Sequence, residues 1–177
     1  MVDRSAATLL LCGYYGEKNL GDDALLTVLL DDLPAGCRLL ITASDGNVLH
    51  QLCPSARRVN RRSLPAVVAA VGSVDAVVLG GGSLLQDSTS FRSLIYYLVL
   101  IATARLRRRP VLLWGQGLGP LHRPISRWLV RMMLPLCSSA SWRDQTSFSV
   151  AKRWAPNLTM DCLLYTSDAA DEWGGGG

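Results

Sequence analysis

The chain of 177 residues is poor in histidine, with only His50 and His122. No metal constellation and no Ser/His/Asp set with useful spacing is visible, so neither zinc chemistry nor a serine triad is expected. Cys12, Cys37, Cys53 and Cys137 are scattered, with no CxxC among them. That argues against a disulfide framework and for a reduced cytosolic protein with core thiols. Long hydrophobic runs are also missing. The longest, residues 94–104, stays well under the roughly 18 residues of a membrane-spanning helix. Residues 1–7 are polar and the apolar run after them is short, so no secretory signal is read. The dinucleotide fingerprint GxGxxG is absent. Arginine clusters at 57–58, 61–62 and 105–109 lack interleaved aromatics, so nucleic acid is not an expected partner. Their plainest reading is a solvated basic face. The functional alternative is contact with anionic membrane lipids or a lipid-linked phosphate.

The C-terminus reads as foreign. Residues 162–172, CLLYTSDAADE, match the in-frame translation of a transposase adapter used in sequencing libraries, and Trp173 and four glycines follow. Residues 162–177 are therefore expected to be a non-native tail. Residues 1–161 are expected to be one natural domain whose gene continues further. Without the tail, 18 basic residues stand against 11 acidic ones.

What is present is an apolar chain, 49% by count, which excludes disorder and can bury a core. Strands are expected at residues 8–12, 38–42, 74–79, 111–114 and 140–142, and from 158 onward. Helices are expected at 24–33, 48–52, 64–71, 91–105, 124–133 and 147–154. Asp22 or Asp23 is expected to cap the first helix. This alternation predicts an α/β fold: an open parallel Rossmann-like sheet with helices on both faces.

Four strands run into unusual loops: GYYGEKNLGDD, GGGSLLQD, GQGLGP and WRD. In an open parallel sheet all should meet at the carboxyl edge, where ligands bind. Gly13, Gly16 and Gly21 permit tight turns in the first loop. Its two aspartates at a helix start disfavour phosphate, so the loop reads as a hydroxyl binder or base carrier. Gly80-Gly81-Gly82-Ser83 reads as a nest of backbone N–H groups for a carboxylate or phosphate, or as tight strand–helix packing. Asp87 could accept sugar hydroxyls or cap Thr89 and Ser90. Gln116, between Gly115 and Gly117, suits hydroxyls. Arg143 is the anion candidate, gripping a carboxylate or phosphate through its fork, or pairing at the surface with Asp144.

In this order GYYGEKNLGDDALL, GGGSLLQDSTSFRSLIYYL, GQGLGPL and SWRDQTS resemble the polysaccharide pyruvyl transferase family, most nearly its CsaB type. The resemblance spans residues 9–161. Ser141-Trp142 before Arg143-Asp144 departs mildly from the more usual hydroxyl or valine neighbours. The resemblance implies the N-terminal domain of a GT-B-type two-domain enzyme. Its reaction would move a pyruvyl group from phosphoenolpyruvate to a sugar as a cyclic ketal, releasing phosphate. In the CsaB type the acceptor is an N-acetylmannosamine residue of a lipid-linked cell wall polysaccharide precursor, and the ketal anchors surface-layer proteins.

On that resemblance Arg143 and the Gly80 to Ser83 nest meet the donor's anionic groups. Asp22, with Asp87 second, is the base for the acceptor hydroxyl. Asn19 and Gln116 orient hydroxyls, and Tyr14, Gly16 and Gly117 complete the substrate site. No cofactor is implied, phosphoenolpyruvate being a donor substrate. The expected partners are phosphoenolpyruvate and a glycan or lipid-linked glycan. The expected location is the cytoplasm, with peripheral contact at the inner membrane face. An acid for C3 and further cations are not evident, and the resemblance places them in a second half, so the fragment alone is expected to be inactive. The alternatives are a nucleotide-sugar glycosyltransferase of GT-B shape and a non-catalytic Rossmann-type binding module.

Overall fold

The apolar run at residues 8–12 is an inner strand of a seven-stranded parallel sheet. In a computed structural model describing residues 6–17 and 19–162, it forms β1 (Thr8–Tyr15). Then follow α1 (Leu20–Asp32), β2 (Arg38–Ala43), α2 (Gly46–Leu52), β3 (Arg57–Asn60), α3 (Leu64–Gly72) and β4 (Ala76–Leu85). The chain continues through α4 (Phe91–Leu106), β5 (Val111–Leu118), α5 (Pro124–Met133), a single 3-10 turn (Leu134–Leu136), β6 (Ser139–Trp142), α6 (Gln145–Trp154) and β7 (Thr159–Cys162). The strand order is β3-β2-β1-β4-β5-β6-β7, and every pairing is parallel. The order reverses between β1 and β4, which opens a crevice at their carboxyl ends.

Strand alternation divides the core in two. Leu10 and Cys12 of β1 join the cluster beneath α3, α4, α5 and α6. Leu11 and Tyr15 point to the opposite cluster, beneath α1 and α2. Burial pushes the Cys12 and Cys137 thiols up to about 12, which keeps them protonated and inert. Among the described residues no helix is long and apolar enough to cross a membrane.

The expected elements are present with three corrections. First, Arg57–Asn60 is a strand that the sequence reading missed. Its one buried apolar residue is Val59, too little for a visible alternation, and its arginines suit an edge strand. Secondly, the cap of α1 is Asn19, whose side chain accepts from Gly21 N at 3.2 Å. Asp22 and Asp23 therefore lie inside the first turn.

Thirdly, three strands run on through their glycines, β1 among them through Gly13. β4 continues through Gly80, Gly81 and Gly82, and β5 through Gly115 and Gly117. The ladder persists because Gly80 pairs with Trp114 and Gly82 with Gln116. The missing side chains let α1 press onto β4. A Cβ on Gly80 would stand 2.4 Å from the Tyr15 hydroxyl and 2.6 Å from Leu29 Cδ2. That hydroxyl donates to Gly80 O at 2.9 Å. Gly80→Ala should therefore cost about 2 kcal/mol through overpacking, read as a lower urea midpoint with an unchanged m-value.

Cys162, expected to open the foreign tail, closes β7 opposite Trp142. The rest of that tail lies outside the described residues.

Candidate functional site

The crevice at the switch point is a cleft of about 630 Å³ between the starts of α1 and α4. Of the residues singled out from sequence, Tyr14, Asn19, Asp22, Gly82, Ser83 and Arg143 line it. They come from four places in the chain, brought to one edge because β1, β4, β5 and β6 are neighbours.

Asp22 sits in the first turn of α1, where Asn19 Nδ2 donates to its Oδ2 at 2.6 Å. The backbone of Gly82 lies so close that a Cβ there would stand 2.7 Å from Asp22 Oδ1. Partial burial, then the Asp23 charge, raises the Asp22 pKa, while Asn19, Arg61 and Arg143 pull against the rise. The result is a carboxylate more basic than usual, facing a cleft.

Arg143 stands at the end of β6. Its backbone N–H donates to Gln116 O at 3.0 Å. Its Nη2 donates to Ser83 Oγ at 2.9 Å, which aims the guanidinium across the cleft floor. Gly117 makes room beneath, since a Cβ there would come within 2.7 Å of both Arg143 Nε and Ser83 Oγ. The expected surface pair with Asp144 is loose, at 3.7 Å and half-exposed. Asp144 is occupied instead as the cap of α6, accepting from Ser147 N at 2.7 Å and Ser147 Oγ at 2.8 Å.

The other expected site residues lie elsewhere. Gln116 is fully buried, and its Nε2 donates to Leu79 O at 3.1 Å and Gly81 O at 3.3 Å. Through that nitrogen it braces β4 against β5, and its buried Oε1 has no partner among the described residues. Asp87 is buried and accepts from the His122 and Arg123 N–H groups at 2.7 and 2.9 Å. Ser126, with these two amides, holds its carboxyl down to about 2. Asp87 thus anchors the start of α5 and caps neither Thr89 nor Ser90. Gly80 and Gly81 pack beneath α1 within the strand, whereas Gly82 and Ser83 face the cleft, and the backbone turns left-handed at Gly81 and Gly82, with φ +60 and +77. Gly16 lines a separate shallow pocket. It is a turn with φ +69, its N–H donates to Asp23 Oδ1 at 3.0 Å, and its carbonyl accepts from Ser44 at 2.7 Å.

The sequence reading also missed several residues. Gln86, Thr89, Ser93 and Tyr97 line the cleft. Ser90, Ser93 and Tyr97 recur at the spacing of one helical face, a signal that was available. Arg61, read as part of a solvated face, is only 13% exposed in its side chain. It donates to Gly13 O at 3.1 Å, to Glu17 Oε1 at 3.1 Å and to the Tyr97 hydroxyl at 3.3 Å. Its guanidinium also lies 4.3 Å from the Tyr14 ring centroid. It braces the cleft wall from behind. Among the described residues no three His, Cys, Asp or Glu side chains cluster to hold a metal.

Comparison with known proteins gives one family. The family model described as polysaccharide pyruvyl transferase matches residues 19–167. No curated protein matches the chain. Among solved structures, that of yvaA, a candidate oxidoreductase from Bacillus subtilis, is 13% identical with a TM-score of 0.44. That match covers 94% of this chain, which spans 40% of the other's length, and it carries no functional argument.

Proposed function

The chain belongs to the polysaccharide pyruvyl transferase family, and we propose that the intact enzyme moves a pyruvyl group from phosphoenolpyruvate to a sugar hydroxyl pair. The acceptor in this reading is an N-acetylmannosamine residue of a lipid-linked cell wall polysaccharide precursor. The product is a cyclic ketal, and phosphate is released. Reaction takes place at the cytoplasmic membrane face, where phosphoenolpyruvate and a lipid-linked precursor are both available.

The observation that carries this reading is the placement of Asp22 and Arg143 in one cleft. The reaction needs a base for the attacking hydroxyl and a cation for the donor's anionic groups. Protonation of the donor at C3 makes C2 electrophilic. One sugar hydroxyl adds to C2 as Asp22 takes its proton. The phosphate then leaves, and the second hydroxyl closes the ketal as its proton passes to that released phosphate. Arg143, aimed by Ser83, grips the donor's carboxylate or phosphate, and Asn19 holds Asp22 in place. The C3 acid and further donor cations are assigned to a second, GT-B-like half, so the chain alone is expected to be inactive.

The test is phosphate release by the full-length gene product, given phosphoenolpyruvate and an N-acetylmannosaminyl acceptor. Release should require both substrates. Arg143→Ala should lower kcat/KM for phosphoenolpyruvate by about 10–100-fold, the worth of one charge-assisted contact. Arg143→Lys should recover little, because a point charge does not replace the fork. Turnover of a nucleotide sugar without phosphoenolpyruvate would overturn the reading.

A further inference from the structure

We propose that the outer face of α5, with the groove beside it, docks the protein on an anionic lipid bilayer. Ser126 and Val130 turn α5 towards the core. On its outer side Ile125, Trp128 and Met132 are 49%, 57% and 55% exposed. Their spacing of three and four residues makes one stripe along the helix. Arg127 and Arg131, one turn apart, form a ridge next to it. With Arg153 of α6 they line a groove of about 510 Å³, whose apolar wall includes Trp154.

Charge decides the occupant. Neither α5 nor α6 contains an acidic residue, and none occurs anywhere from residue 88 to 143. A protein partner would need an acidic surface around an apolar centre. An anionic bilayer supplies both: phosphodiester headgroups for the arginine groove, and an acyl boundary for the tryptophan, isoleucine and methionine. Two of the arginine clusters conspicuous in the sequence lie away from this surface. Arg57 and Arg58 lie on the edge strand β3, and Arg61 is buried.

The position suits a lipid-linked acceptor. Asp87 ties the start of α5 to the loop that carries Gln86 and Thr89 into the cleft. A bilayer against α5 therefore lies beside the cleft rim. The purpose of docking rests on the proposed lipid-linked acceptor. The binding itself does not, and it is measured with neither substrate present.

The experiment is co-sedimentation of the full chain with vesicles of equal parts phosphatidylglycerol and phosphatidylcholine, against phosphatidylcholine alone. Binding should be at least about tenfold stronger to the anionic vesicles and should weaken with salt. Trp128→Ser/Met132→Ser and Arg127→Glu/Arg131→Glu should each lose about tenfold, while Arg57→Glu/Arg58→Glu keeps most of it. All these positions are exposed, and circular dichroism checks that each variant folds. No binding to anionic vesicles at low salt overturns the proposal. So does unchanged binding by the Trp128→Ser/Met132→Ser variant, or self-association without lipid that this variant abolishes. A failed phosphate-release assay beside intact vesicle binding would remove the reaction and leave the docking surface standing.

Discussion

Asp22→Asn should lower the full-length enzyme's kcat/KM for the sugar acceptor by roughly 100- to 10,000-fold, the usual contribution of a positioned general base. The substitution keeps the shape of the side chain and an oxygen able to accept from Asn19, whose bond to Asp22 is 2.6 Å long. What it removes is the capacity to take a proton. Burial and Asp23 raise the Asp22 pKa, so the wild-type pH–rate profile should have an acidic limb above the ordinary carboxylate range. That limb should be absent from the residual activity of the variant.

Stability should move the other way. A carboxyl whose folded pKa lies above its unfolded value binds the proton more readily when folded. Its stabilising effect is present below the unfolded pKa and is lost as pH rises through the folded one. At neutral pH the ionised Asp22 is therefore a burden on the fold, and Asn should leave the Tm unchanged or raise it. Lower activity with undiminished Tm separates a catalytic group from a structural one. A fall in both, in proportion, would make Asp22 a stabiliser of the first turn of α1 alone.

The sheet was legible because its central strands are buried on both faces and read as unbroken apolar runs. Leu10, Leu11 and Cys12 are all inaccessible to solvent. The same signal fails at the edge of the sheet, where β3 contains one buried residue, and at strand ends made of glycine. Gly80 to Gly82 look like a loop in sequence because loops and close-packed strands both select glycine. Only the proximity of Tyr15, Leu29, Leu25 and Asp22 distinguishes the two.

The site was legible in its corners and not in its assignments. Asp, Asn and Gln bind hydroxyls with the same atoms that cap helices and brace strands. Asp87 and Gln116 serve the backbone, whereas Asn19 both caps α1 and holds Asp22. The chain's pattern announces a polar group at the carboxyl edge. Whether that group faces ligand or main chain depends on angles set by the packing of α1, α4 and α5.

Arg61 shows the same ambiguity at larger energetic cost. Arg61→Met should destabilise the fold by about 3 kcal/mol, the lower end of what breaking a buried pair costs. The loss leaves Glu17, itself 14% exposed, with the outer Arg62 at 3.1 Å as its one remaining cationic partner among the described residues. It also strands the Gly13 carbonyl and the Tyr97 hydroxyl. Arg61→Met/Glu17→Gln should cost less than the sum of the two single changes, because no unpaired carboxylate remains. The pH dependence follows from Glu17. Burial alone would raise its pKa, but Arg62, Ser44 and Arg61 outweigh that and hold it below the usual value. A lowered folded pKa contributes stability above the unfolded value, and that contribution is lost as pH falls through the folded one. Wild type should therefore lose more stability on acidification than the double variant, as measured by urea midpoints across the carboxylate range. Arg61 touches Tyr14 and Tyr97 from behind and does not line the cleft, so it is a positioning residue. In the full-length enzyme, Arg61→Lys should keep the charge, lose the fork, and raise the acceptor KM more than it lowers kcat. Equal effects on both, tracking the loss of Tm, would make Arg61 a strut for the fold alone.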